Sequence, residues 1–391
     1  MKKYLANVVF LAKTAPILNG VLITDDGGTV LDVLENSEGL EDLIVVEGFL
    51  CPGFINSHCH LELSHLKGMM LERGGLVDFI RPIMEMRKAM PDVIQHAMQE
   101  AEAEMKTNGI VAVGDICNTG ESFALKSESE IHYHNYIELI GLDPAISRSV
   151  FADGVTLQDR STEMGITSSL VPHAPYTASA ELMGLLGGHA RDTDVSLCIH
   201  NQESAHENTL YMDGTGPIRE LYADFGVDLN FFSPTQTNSM EAVLKSLGGG
   251  VSVLLVHNTY TTNADLSRAA DSNSHVSYCL CPNANLYIEN RLPDVDMLAE
   301  TGSLVVLGTD SLASNWALSI LDEMKTISAS YPGIQLSTLI SWATYDGAKV
   351  LGIDDELGSF EKGKRPGINL IYDVDLDNMS ILPDSKIRVL A

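Results

Sequence analysis

The feature that most constrains this chain is an alternation. Between Gly53 and about Asp310, eight short apolar runs, rich in β-branched residues, are each separated by a polar or glycine-rich break and a helical stretch. The runs are GFINSHCH (53–60), GIVAVGDI (109–116), HYHNYIELIG (132–141), SSLVPHAP (168–175), VSLCIHNQ (195–202), VSVLLVHN (251–258), HVSYCLCP (275–282) and LVVLGTDS (304–311). Helical patterns such as DVIQHAMQEAEAEMKTNG and SAELMGLLGGHARDTD lie between them, as the crossovers of parallel strands require. Eight strand-helix units predict a closed (β/α)8 TIM barrel. A doubly wound open sheet fits the alternation as well, but polar residues at the strand ends need a common centre, which closure supplies.

The two ends read differently. Residues 1 to about 50, including VLITDDGGTVLDVLE, and the tail GINLIYDVDLDNMSILPDSKIRVLA are short strands with turns. They are expected to pair as a small β-sandwich, giving a sandwich of residues 1–51 and 355–391 beside a barrel of residues 52–354.

Composition narrows the partners. With 24 Lys+Arg against 53 Asp+Glu, the formal charge of -29 repels phosphate backbones and anionic headgroups, so neither nucleic acid nor a membrane surface is expected. The N-terminal stretch is interrupted by Lys13 and has no small-residue cleavage site, and no apolar run approaches a membrane span. A cytoplasmic protein is expected, and homo-oligomerisation is left open. The six cysteines form no CxxC pair and read as reduced and buried; Cys279 and Cys281 alternate on a strand as packing residues do.

The chemistry sits at the strand ends. His58 and His60 stand two apart, so both side chains leave one face and can bind one cation. His132 and His134 share that spacing but open a strand at the opposite end of the barrel, where structure rather than catalysis is expected. Further polar residues close other strands: His173, His200, His257 and Asp310. A lone strand-end histidine is usually a rim residue, but the same coincidence on five strands has no comparable bland account. His58, His60 and His200 supply neutral nitrogens and Asp310 a carboxylate, leaving an open position for water on one divalent cation, zinc before iron. Glu203, three residues beyond His200, can carry a proton to a ring nitrogen. His257 orients the water or holds the intermediate, and Asp310 also moves a proton.

Together PGFINSHCHLELSHLKG, HAPYTAS, HNQE, the histidine of LLVHNT and LGTDSLASN resemble the amidohydrolase superfamily. The likeness is nearest to its branch of S-adenosylhomocysteine, aminodeoxyfutalosine and guanine deaminases and chlorotriazine hydrolases, and it continues into GKRPGINLIY. It implies the same ligands and the same roles for Glu203 and His257, makes His173 a substrate contact, and places Glu62, Glu85, Arg148 and Asn285 facing the pocket. The strand-four end carries His173 where a lysine would be needed to bridge a second metal, so one metal is expected. The expected activity is hydrolytic deamination of an aminopurine-bearing nucleoside or related small N-heterocycle, releasing ammonia. Guanine or pterin deamination and chlorotriazine hydrolysis use nearly the same apparatus. A metal-free, non-enzymatic scaffold would lack a ligand, and all four are present.

Overall fold

A computed structural model describes residues 1–391. The N-terminal segment contributes five strands, β1 (Lys2–Val9), β2 (Ile17–Leu18), β3 (Val21–Thr24), β4 (Val30–Leu34) and β5 (Ile44–Pro52). The eight apolar runs follow as β6 (Phe54–Cys59), β7 (Ile110–Cys117), β8 (His132–Leu139), β9 (Thr167–Pro172), β10 (Leu197–Asn201), β11 (Ser252–His257), β12 (His275–Leu280) and β13 (Val305–Leu307). The chain ends in β14 (Ile368–Tyr372) and β15 (Lys386–Val389).

β6 to β9 form one four-stranded parallel sheet and β10 to β13 another, each in sequence order. The sheets meet at both edges. Beyond β9, the His200 amide donates to the His173 carbonyl at 3.0 Å, and on the other side the Thr309 and Asp310 amides donate to the His58 carbonyl at 3.1 and 3.0 Å. Side chains alternate between two environments. One buried cluster takes Ile55, Ile116, Tyr136, Val171, Cys198, Leu254, Cys279 and Val306, one from each of the eight strands. Their neighbours Phe54, Val113, Ile137, Leu170, Ile199, Val253, Tyr278 and Leu307 belong to the larger core shared with the helices.

That alternation decides which residues leave the inner face at the strand ends. From Cys198 it leads to His200, from Val171 to His173, from Tyr136 to Glu138 and from Ile116 to Asn118. β6 needs a correction: its pairing with β7 shifts register between Asn56 and Cys59. This irregularity puts Cys59 into the outer core and leaves His58 and His60 facing inward. Gly308 makes room for that turn, since a Cβ there would lie 2.9 Å from both the Cβ and the carbonyl oxygen of His58.

The terminal segments pair with each other in one continuous seven-stranded sheet. Its order is β15-β14-β5-β1-β3-β4, with β2 on β1. β5 and β1 run parallel while β14 lies antiparallel to β5, with Ile368 opposite Pro52. Continuous pairing arises because β5, nine residues long, offers both of its edges. It then passes through Gly53 directly into β6, so the sheet is joined to the histidine-bearing strand by a single residue. No helix is long and apolar enough to cross a membrane.

Candidate active site

Four donor atoms from His58, His60, His200 and Asp310 lie within 4.8 Å of one another, all buried. His60 Nε2 is the hub, 3.2 Å from His58 Nε2, 3.1 Å from His200 Nε2 and 3.3 Å from Asp310 Oδ1. Ligands about 2.1 Å from a tetrahedral centre are themselves about 3.4 Å apart, so this spacing fits a divalent cation. Three imidazole nitrogens turned toward each other are otherwise hard to reconcile, because at most one proton can bridge each pair.

The protonation pattern agrees. His200 Nδ1 lies 2.7 Å from the His173 carbonyl, which can only accept, so Nδ1 carries the proton and Nε2 keeps its lone pair. Burial pushes His60 and His200 well below the usual imidazole range, which leaves both neutral. Burial alone would raise Asp310, but the imidazoles of His58, His60 and His257 around it outweigh that and hold the carboxyl well below its ordinary value. Ser314 Oγ donates to Asp310 Oδ2 at 2.6 Å, which leaves Oδ1 to the cluster.

Glu203 and His257 face the same space. Glu203 Oε1 stands 3.7 Å from His257 Nε2. Burial, then the charges of Asp310 and Glu289, push the Glu203 carboxyl well up, favouring its acid form. The local fold holds it there: Glu207 accepts from the amides of Gln202, Glu203 and Ser204, and Ser204 completes a capping box at the start of the helix Ala205–Asp213. His257 and Asp310 both adopt left-handed backbone, at φ 73° and 57°. Such conformations cost energy in residues with a side chain, and here they turn two functional groups toward one centre.

Above the cluster lies a cavity of about 320 Å³. Its floor includes His60, His200, Glu203 and Asp310, and its outer wall is apolar, with Phe79 and Ile83 on the helix Leu76–Met86 and Leu221 on the helix Pro217–Asp224. Larger clefts, of about 740, 980 and 700 Å³, do not touch the histidine cluster.

Of the residues placed at the pocket by resemblance, His173 lines the cavity, its Nδ1 2.9 Å from Thr177 Oγ1. The other four do not line it. Asn285 sits behind His257, accepting from its Nδ1 at 3.0 Å and donating to Thr259 at 2.6 Å. Glu62 instead accepts from Asn118 N, Thr119 N and Ser122 Oγ, ordering the loop after β7. Glu85 is exposed on its helix. Arg148 has an 82% exposed side chain, 3.6 Å from Glu181, because it lies on the solvent side of the helix Ser147–Glu163. His134 hydrogen-bonds Ser169 at 2.8 Å, and Cys279 and Cys281 are buried and unpaired, so all three are structural.

Sequence reasoning missed a buried ion pair. Lys126 Nζ lies 2.6 Å from Asp115 Oδ2, both side chains fully buried, and also donates to Asn135 at 2.7 Å. Asp115 Oδ1 accepts from the Leu61 amide at 2.8 Å, which pins the segment immediately after His60. Lys126→Met leaves the Asp115 charge buried and uncompensated, so a loss of about 3–5 kcal/mol in stability is expected, read from urea unfolding. An unchanged unfolding midpoint would show that the pair holds nothing.

Strand-end imidazoles and a carboxylate around one point, beside a buried acid, define a class: metal-assisted hydrolases built on parallel α/β sheets. The chain belongs to the amidohydrolase family, which it matches over residues 49–387. It is similar to the 5-methylthioadenosine/S-adenosylhomocysteine deaminase of Teredinibacter turnerae, 27% identical over 370 residues, covering 88% of this chain and 78% of that protein. It is also similar to the aminodeoxyfutalosine deaminase of Deinococcus radiodurans, 28% identical over 314 residues, covering 78% of this chain and 73% of that one. The crystal structure of Helicobacter pylori aminofutalosine deaminase in complex with methylthio-coformycin shares the fold, with a TM-score of 0.79, 23% identity and coverage of 95% and 92%.

Proposed function

We propose that this chain is a hydrolytic deaminase of an aminopurine-bearing nucleoside, with His58, His60, His200 and Asp310 as ligands of one divalent cation, zinc ahead of iron. The observation that carries the reading is the position of Glu203: a buried carboxyl group, favoured in its acid form, at the floor of the cavity beside the four converging donors. The names of the similar deaminases support the choice of substrate class.

A divalent ion held by the cluster would act as a Lewis acid that makes water a nucleophile near neutral pH. Asp310 takes a proton from the attacking water as its oxygen adds to the amino-bearing ring carbon. Glu203 gives its proton to the adjacent ring nitrogen, and His257, held by Asn285, stabilises the new oxygen substituent. Asp310 then protonates the amino group, ammonia leaves, and the hydroxyl proton returns to Glu203. His173 at the cavity wall contacts the bound base.

The two parallel sheets are read as one closed (β/α)8 barrel of residues 52–354, supported by the hydrogen bonds at both seams and by the inner cluster that all eight strands share. Residues 1–51 and 355–391 are assigned to the appended β domain, supported by the pairing of β14 with β5. Six unpaired buried cysteines support a reducing, cytoplasmic setting.

The purified, metal-loaded protein tests the reading with adenosine, 5′-methylthioadenosine, S-adenosylhomocysteine, aminodeoxyfutalosine and guanine. Stoichiometric ammonia release from at least one of the nucleosides is expected. Ammonia from none of them, with metal content verified, would remove the deaminase assignment.

A further inference from the structure

We propose that Glu138 is a specificity-determining residue, whose free carboxylate oxygen accepts a hydrogen bond from a sugar hydroxyl of the bound nucleoside. This rests on the deaminase reading above. Glu138 follows inward-facing Tyr136 by two residues at the end of β8 and lines the cavity, with its side chain only 3% exposed. One oxygen is fixed: Oε2 accepts from Asn118 Nδ2 at 2.7 Å, and Asn118 Oδ1 accepts in turn from Arg87 at 3.3 Å.

The other oxygen has no hydrogen-bond partner in the protein. The imidazole nitrogens His173 Nε2 and His200 Nδ1 both stand 3.9 Å from it, beyond hydrogen-bond reach. His200 Nδ1 is already spent on the His173 carbonyl. The same commitment argues against a second cation among Glu138, His173 and His200, although their donor atoms lie within 4.8 Å of one another. A buried carboxylate oxygen left unpaired is costly, and a donor on a bound molecule relieves that cost.

The order of groups along the cavity says which donor. The floor carries the histidine cluster and Glu203, where the reacting base must sit. Ile140, two residues beyond Glu138 on the same face, is 46% exposed at the mouth, together with Met84, Phe225 and Val227. Glu138 therefore stands between base and exit, the level reached by the first group attached to the base. In a nucleoside that group is the sugar, whose hydroxyls donate, and an anionic substituent there would meet a like charge.

The test uses the metal-loaded enzyme, Glu138→Gln and Glu138→Ala. Each is assayed on whichever of adenosine and 5′-methylthioadenosine turns over faster, and on the 2′,3′-dideoxy counterpart of that nucleoside. Removing the hydroxyls should cost the wild type roughly 10- to 100-fold in kcat/KM, carried mainly by KM. Both variants should lose a similar factor on the full nucleoside and treat the two compounds alike within about 3-fold, with metal content unchanged. The proposal is overturned if the wild type does not discriminate, if the variants slow both compounds equally, or if they lose the metal. Absence of ammonia from every nucleoside with the wild type is a different result, and it removes the deaminase reading itself.

Discussion

Glu203→Gln is expected to keep its metal and to lose about three orders of magnitude or more in kcat, within or just beyond what a positioned acid-base group supplies. The amide preserves the shape of the side chain, so the hydrogen bonds from residues 202–204 to Glu207 are undisturbed. What it cannot do is give a proton to the ring nitrogen and take one back. Metal analysis and steady-state kinetics on the same preparation separate the two effects. If kcat stays within tenfold of the wild type while metal is retained, another group carries that proton.

The second large effect concerns the hub of the cluster. His60 Nε2 lies within 3.3 Å of three other donors, so His60→Ala should remove a ligand and open the centre at once. After dialysis the variant should hold little zinc, and its kcat/KM should fall by roughly four orders of magnitude or more. The wild type stripped with a chelator should lose activity to the same degree and regain it with added zinc, whereas the variant should not. A metal-free wild-type protein that still releases ammonia would end the metal-assisted reading. The stripped protein should also unfold at lower urea, because an ion bound only by the folded chain stabilises it by mass action.

Much of this site could be read from the sequence because strand periodicity is rigid. Once Cys198 and Val171 face inward, His200 and His173 must follow them, and the same rule would have exposed Glu138 and Asn118. It was the chemistry of those residue types, not their position, that kept them out of view, since a glutamate after an apolar strand reads first as surface. His257 obeys no such parity, since Leu254 and Val256 belong to the inner cluster; its left-handed backbone swings it into place, and no sequence period announces it. The Asp115–Lys126 pair was hidden for another reason: it depends on a five-residue helix, Phe123–Ser127, folding a lysine back under the strands. Arg148 and Glu85 lie away from the cavity because helix faces near its mouth are set by packing rather than by register, and likeness to a family does not fix them. The terminal strands were recognisable by composition, but not the order in which they pair.

The pairing of β5 with β14 has a consequence for biosynthesis. Pro52 and its partner Ile368 are separated by roughly 300 residues of chain, which at about 5–20 residues per second means some 15 to 60 s of translation. Throughout that interval the strand leading into His58 and His60 has one bare edge. A nascent chain that stalls before β14 emerges would leave the strand that anchors its first two imidazoles paired on one edge only.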